Sequence, residues 1–232
     1  MKFRNYEISK NTLATGIAVF FHLIGLLGIL VSSNKSFFIA ATPYNLLLSL
    51  LLIIWTQKNK NYFFYGFLLL AVSLGIIAEI VGVNTGILFG DYSYGSVLGL
   101  KIKQVPVIIG VNWFILIYCC GIGIHTLLMK AIAKIAEQSG KPPLTLKALS
   151  VIIDGATIAV FFDWVMEPVA VDLGFWKWDT GEIPFYNYLC WFIVSLILLA
   201  LFHFSNFNKQ NKFAINLLLI QFMFFLLLRT LL

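Results

Sequence analysis

The sequence predicts an all-α integral membrane protein: a bundle of about seven transmembrane helices with two aromatic-rich outer loops. Three observations predict it. Of 232 residues, 60% are hydrophobic and 11% charged, against about 25% charged in a soluble domain, and mean hydropathy is +0.93. The apolar residues, 22 Phe among them, fall in runs of about 18 or more. The 16 Lys and Arg residues gather between those runs. A chain of this length cannot hide so much apolar side chain behind a water-facing surface. A soluble enzyme, a disordered chain and a disulfide scaffold are thereby excluded. The net charge of +6 reads as a topology signal, with no nucleic-acid partner expected.

The runs place spans near residues 13–31, 37–56, 62–83, 105–128, 148–170, 187–204 and 213–232, in one polytopic membrane domain over 1–232. The first run follows Lys2, Arg4 and Lys10, as a signal peptide's would. It exceeds an h-region of about 7–15 residues and has no small-residue cleavage site, so it reads as an uncleaved span. Lys2, Arg4, Lys10, Lys58, Lys60, Lys130, Lys134, Lys141, Lys147, Lys209 and Lys212 share one side. Lys35, Lys101, Lys103, Lys177 and Arg229 share the other. Eleven against five predicts a multi-pass protein of the cell (inner) membrane with a cytoplasmic N-terminus.

Two longer loops, near 84–104 and 171–186, then share the outer face. Each carries an aromatic–x–aromatic step, Tyr92/Tyr94 and Trp176/Trp178, which suits a short hairpin or an interfacial segment. Each follows an acid near the end of a span, Glu79 or Glu167. Each precedes an apolar–Pro step, Val105-Pro106 or Ile183-Pro184, with a Trp seven residues after the proline, Trp113 or Trp191. Asn112 and Asn187 recur nearby. The pattern reads as a weak parallel internal repeat of helix, aromatic loop and helix.

Only ten acids occur, and an acid at bilayer depth is expensive and usually functional. Glu7, Asp91, Glu137, Asp172, Asp179 and Glu182 fall in loops or at the terminus. Glu79, Asp154, Asp163 and Glu167 fall in spans. Asp163 and Glu167 are four apart, on one helical face within about 6 Å. Two carboxyls so placed in low dielectric do not both ionise readily, and a proton kept beside a carboxylate serves general acid–base chemistry. Pro168 favours a break or kink just after them. Asp154 lies about 13.5 Å further along the helix, on roughly the opposite azimuth. A purely structural role, with carboxyls tying helices together, is the alternative for all four.

Trp113, Trp191, Trp176, Trp178, Tyr92 and Tyr94 can line one outer-leaflet cavity with these acids, their ring faces stabilising a cation. That combination suits protonation of an alkene. His22, His125 and His203 stand on separate spans, without the paired histidine boxes of di-iron membrane enzymes. Cys119, Cys120 and Cys190 lack CxxC spacing. Gly121 and Gly123 sit inside a span, so no dinucleotide fingerprint is present. The last span has no Lys for a retinal Schiff base, and Asp163-x-x-x-Glu167 has no second aspartate-rich motif beside it for a prenyl diphosphate. The residues leave acid–base chemistry without cofactor or metal, or transport.

These segments resemble the bacterial and archaeal carotenoid biosynthesis membrane proteins that include the carotenoid 1,2-hydratases. The resemblance rests on Glu79 with Thr85-Gly86, Phe89-Gly90-x-Tyr92-x-Tyr94, Val105-Pro106 with Trp113, Asp163-x-x-x-Glu167-Pro168-x-Ala170, and Trp176-x-Trp178 with Ile183-Pro184, Asn187 and Trp191. It is strong over residues 70–195. It implies addition of water across the terminal C1–C2 double bond of an acyclic carotenoid taken from the bilayer lipid. Asp163, Glu167 and Glu79 are then the catalytic acids, and Tyr92, Tyr94, Trp113, Trp176, Trp178, Asn187 and Trp191 bind substrate. Cyclisation of the same end group, or a non-enzymatic transporter or lipid-binding role, are the alternative expectations.

Overall fold

A chain in lipid must bond its backbone internally, and among the described residues seven helices are long and apolar enough to cross a membrane. The computed structural model describes residues 8–139 and 144–232. The expectations for Lys2, Arg4, Glu7 and Lys141 lie outside the described residues. In chain order the elements are α1 (Lys10–Val31), α2 (Lys35–Ala40), α3 (Thr42–Thr56), α4 (Tyr62–Thr85), β1 (Tyr92–Tyr94), β2 (Lys101–Ile102), β3 (Val105–Pro106), α5 (Ile108–Ser139), α6 (Leu144–Asp172), β4 (Trp176–Trp178), α7 (Phe185–Phe204) and α8 (Lys212–Leu231).

Local chemistry sets the helix ends. Ser9 Oγ accepts from the Thr12 N–H at 3.2 Å to start α1, and Asn61 Oδ1 accepts from the Phe64 N–H at 3.0 Å to start α4; both satisfy first-turn donors. Gly86, at φ 66°, ends α4. The second run forms two helices, α2 and α3, which part at Ala41 just before Pro43. A proline fits the first turn of α3 because the N–H it lacks would have had no intrahelical acceptor there. Helix α5 runs on to Ser139, so Glu137, expected in a loop, belongs to a helix.

Helix α6 does not break at Pro168 but continues through it to Asp172. Proline deprives the carbonyl four residues earlier of its hydrogen bond, here that of Trp164. Arg229 replaces it from α8: its Nη1 donates to the Trp164 carbonyl at 2.6 Å. The same guanidinium lies 4.1 Å from the centre of the Trp164 ring.

Helix α5 is the central post, with 89% of its apolar stretch buried against 17–44% for the other six spans. At the end where α1, α4 and α8 begin, polar side chains lash the helices together. Asn216 Nδ2 donates to Thr15 Oγ1 at 2.9 Å, Asn211 Nδ2 to Thr56 Oγ1 at 3.1 Å, and Gln57 Nε2 to the Asn208 carbonyl at 2.7 Å.

The aromatic loops meet at the other end. The two aromatic steps pair with one another: β1 and β4 run antiparallel with Tyr92 opposite Trp178, Ser93 opposite Lys177 and Tyr94 opposite Trp176, while β2 and β3 form a separate hairpin within the first loop, with Lys101 opposite Pro106 and Ile102 opposite Val105. Exchanging the loops carries Tyr92 onto Trp176 and Tyr94 onto Trp178, so this register is that of a local two-fold axis through the central pair. The Gly95 N–H donates to the Phe175 carbonyl at 2.8 Å and the Asp179 N–H to the Asp91 carbonyl at 3.0 Å, extending the seam.

A Cβ on Gly95 would stand 2.1 Å from the Gly174 carbonyl oxygen, a backbone atom that cannot step aside. Gly95→Ala is expected to destabilise the protein by about 1–3 kcal/mol, read as a lower Tm in detergent. Gly66→Ala, within α4 with nothing inside 4 Å of its Cβ, is the control and leaves Tm equal or higher.

Candidate active site

Four helices and both loops build one buried cluster. Glu79 stands near the C-terminal end of α4, and its two oxygens accept three hydrogen bonds. Tyr92 Oη donates to Oε2 at 2.5 Å, Tyr94 Oη to the same oxygen at 2.8 Å, and Trp113 Nε1 of α5 to Oε1 at 2.9 Å. Glu167 of α6 is held by the other loop: Trp176 Nε1 and Trp178 Nε1 donate to its Oε1 at 2.8 and 2.6 Å. Each aromatic–x–aromatic strand therefore clamps the acid that precedes it. Alternation along a strand sends both rings of a step to one face, which is why residues two apart share one carboxylate.

Asp163 is fully buried. Asn187 Nδ2 of α7 donates to its Oδ2 at 3.0 Å, while its Oδ1 has no partner among the described residues. Glu167 stands one helical turn further along α6, on the same face as Asp163. The rings of Trp113 and Trp191 stack at 4.0 Å and 19°. Tyr92 packs on Trp178 at 5.2 Å and Tyr94 on Trp176 at 5.8 Å.

These groups enclose a cavity of about 20 Å3, room for a single water by the measure of roughly 10–15 Å3 per water. Glu79, Glu167, Tyr92, Tyr94, Trp113, Trp176, Trp178, Asn187 and Trp191 all line it. Asp163 is not part of this lining and is joined to it by the Asn187 hydrogen bond. Asp154 is elsewhere: it is exposed on the outer face of α6 and accepts from the Ser150 hydroxyl. Among the described residues, no three or more His, Cys, Asp or Glu side chains are placed to share a metal ion.

Sequence reasoning assigned no site role to Phe89, Ile109, Asn112 or Met166, which also line the cavity. Phe89 is buried at φ 66°, a left-handed conformation that a bulky residue adopts at a cost of about 1–3 kcal/mol. Its ring sits 6.3 Å from Trp113 and 6.4 Å from Trp191. The Gly90 that follows it was the available signal for an irregular backbone.

The two halves of the repeat differ around their acids. Four residues before Glu167 is Asp163, whereas four before Glu79 is Gly75. Three residues after Pro184 is Asn187, whereas three after Pro106 is Ile109. The acid–amide pair therefore exists in the second half alone. In the first half a Cβ on Gly75 would stand 2.6 Å from Trp113 Cβ, so the indole fills the space there.

Fold and site together define a multi-pass membrane protein with a buried carboxyl cluster walled by aromatic hydrogen-bond donors. Residues 41–232 match the family described as Carotenoid biosynthesis protein. The chain belongs to that family, and its role is in carotenoid biosynthesis. It is similar to the bisanhydrobacterioruberin hydratase of Haloarcula japonica, with 27% identity over 205 residues that cover 82% of this chain. The match spans 64% of that relative's length. No solved structure matches the chain.

Two expected outcomes follow from this geometry. Burial first, then the neighbouring Glu79 charge, pushes the Tyr92 and Tyr94 phenols well above the ordinary tyrosine value. Alkaline titration followed by phenolate absorbance ionises exposed tyrosines near pH 10 or so and leaves these two neutral. The Tyr92→Phe/Tyr94→Phe variant therefore loses no amplitude in that range. Separately, Arg229→Leu strands the Trp164 carbonyl and is expected to cost about 1–3 kcal/mol in thermal unfolding, with Arg229→Lys losing less.

Proposed function

We propose that this protein adds water to the terminal C1–C2 double bond of an acyclic carotenoid, by acid–base chemistry in the cavity between Glu79 and Glu167. The observation that carries the reading is a water-sized cavity faced by two carboxyls and walled by indoles and phenols. Hydration needs a proton donor, a water and a site that tolerates a tertiary carbocation. The name of the Haloarcula japonica relative is in accord with this reaction.

The Asp163–Glu167 pair holds one proton. Glu167, the member facing the cavity, delivers it to C2: a carboxyl O–H breaks and a C2–H bond forms, leaving the charge on C1. Indole and phenol faces stabilise that cation, and Glu79 opposes it as a fixed negative group whose donors are already in place and need not reorient. Water then forms the C1–O bond and gives its surplus proton back to Glu167. The pair ends the cycle protonated as it began, so the buried site draws no proton from solvent. Asn187 serves as a positioning residue, orienting Asp163. The carotenoid end is far larger than one water and is admitted only as the two aromatic loops part.

Cyclisation begins with the same protonation but traps the cation with an internal double bond. The space for a water beside the acids favours hydration. Expression in cells that make an acyclic carotenoid, followed by mass spectrometry, decides between them. The expected product gains one water; an isomer of unchanged mass means cyclisation, and unchanged pigment means neither. Asp163→Asn and Glu167→Gln are each expected to lower product formation by about 10²–10⁴-fold while the protein still accumulates in the membrane. Full hydration by either folded variant overturns the assignment.

A further inference from the structure

A second cavity, much larger than the first, lies at the opposite end of the bundle. It measures about 820 Å3 and opens between the start of α1, the end of α3, α5 and the start of α8. Its described lining includes Lys58, Lys130, Lys212 and His125, together with neutral hydrogen-bonding groups such as Thr12 and Asn216, and no carboxylate. Lys147 and Lys209 stand close enough to His125 to act on it electrostatically. Two helix N-termini converge here as well, since the N-caps Ser9 and Asn211 both line the cavity, and each brings the positive end of a helix dipole.

Lysines scattered around a membrane rim need no partner, because water screens each one. Here the cations and the positive helix ends surround one concavity with no opposing charge in its described lining. An anion relieves that mutual repulsion. The cavity's depth in the fold says which kind. It sits at the first turns of α1 and α8, where the apolar spans give way to polar sequence, and this is the level of lipid phosphates. Leu13 and Leu127 are exposed beside it, an apolar flank for acyl chains. Its volume falls within the range of sites that enclose small molecules, about 300–1,000 Å3.

We propose that this cavity binds the phosphate headgroup of an anionic membrane phospholipid. Lys58, Lys130 and Lys212 supply the charge, and Thr12 and Asn216 the neutral hydrogen bonds. The inference does not rest on the reaction assigned to the aromatic site, and its test reads binding alone.

The full chain, purified in detergent, is titrated with phosphatidylglycerol, with phosphatidylcholine and with inorganic phosphate, and lipid adducts are counted by native mass spectrometry. Phosphatidylglycerol is expected to bind at least about tenfold more tightly than phosphatidylcholine, and inorganic phosphate is expected not to displace it. Lys58→Ala/Lys130→Ala/Lys212→Ala is expected to lose about a hundredfold in phosphatidylglycerol affinity, and the corresponding triple Arg variant to keep it. If the triple Ala variant does not fold, the single Lys→Gln variants decide, each weakening binding about fivefold. Equal binding of the two lipids, displacement by inorganic phosphate, or undiminished phosphatidylglycerol binding by folded lysine variants overturns the proposal.

Discussion

Three carboxyl groups buried in a helical bundle must be met by hydrogen-bond donors, and the helices around them have none to spare from their backbones. Every interior N–H of a membrane helix is already committed to a carbonyl. The donors therefore come from side chains, and the aromatic loops carry most of them. Glu79 takes two phenols and an indole, and Glu167 takes two indoles. Satisfying those acids pulls both loops inward over the ends of α4 and α6. Once there, their backbones lie side by side, and β1 and β4 close the seam that roofs the site.

That arrangement explains why a pairing of two such short strands persists. A two-stranded ribbon is marginal by itself. Here each strand is anchored from below by its own carboxylate and from the side by ring-on-ring contact, Tyr92 with Trp178 and Tyr94 with Trp176. The close approach of Gly95 to Gly174 belongs to the same seam. Helix α6 is stiffened at the matching height, where Arg229 takes up the carbonyl that Pro168 abandons. The acids are thus presented from a held frame beneath the β1–β4 roof.

The two carboxyls of the site have different surroundings. Glu79 and Glu167 each precede one aromatic loop, yet only Glu167 has a second acid one helical turn before it. Gly75 stands where Asp163 would be, and Ile109 where Asn187 would be. A second acid is present in one half alone, and in the other the carboxyl oxygens of Glu79 accept three hydrogen bonds. Two like groups with unlike environments is the arrangement by which proteins divide acid and electrostatic roles between identical side chains.

The spans were legible because hydropathy is a local property: a run of apolar residues crosses a bilayer whatever lies beside it. Glu79, Asp163 and Glu167 were legible for the converse reason, since a carboxyl within such a run has a cost that something must offset. The same reasoning flagged Asp154, which the fold turns outward beside Ser150. Depth along a helix can be counted from sequence, but which azimuth meets protein cannot. The aromatic steps were visible, though not that they would pair across some 80 intervening residues, nor that Phe89 would close the site at a positive φ. Asn187, read as touching substrate, lines the cavity and also holds Asp163, and Arg229, read as a topology signal, caps the gap left by Pro168. Composition and periodicity alone thus determined the solvent, the spans and the acids out of keeping with them. Partners were decided by the tertiary structure, because a hydrogen bond between residues far apart in the chain depends on helix rotation and loop path, which no local pattern encodes.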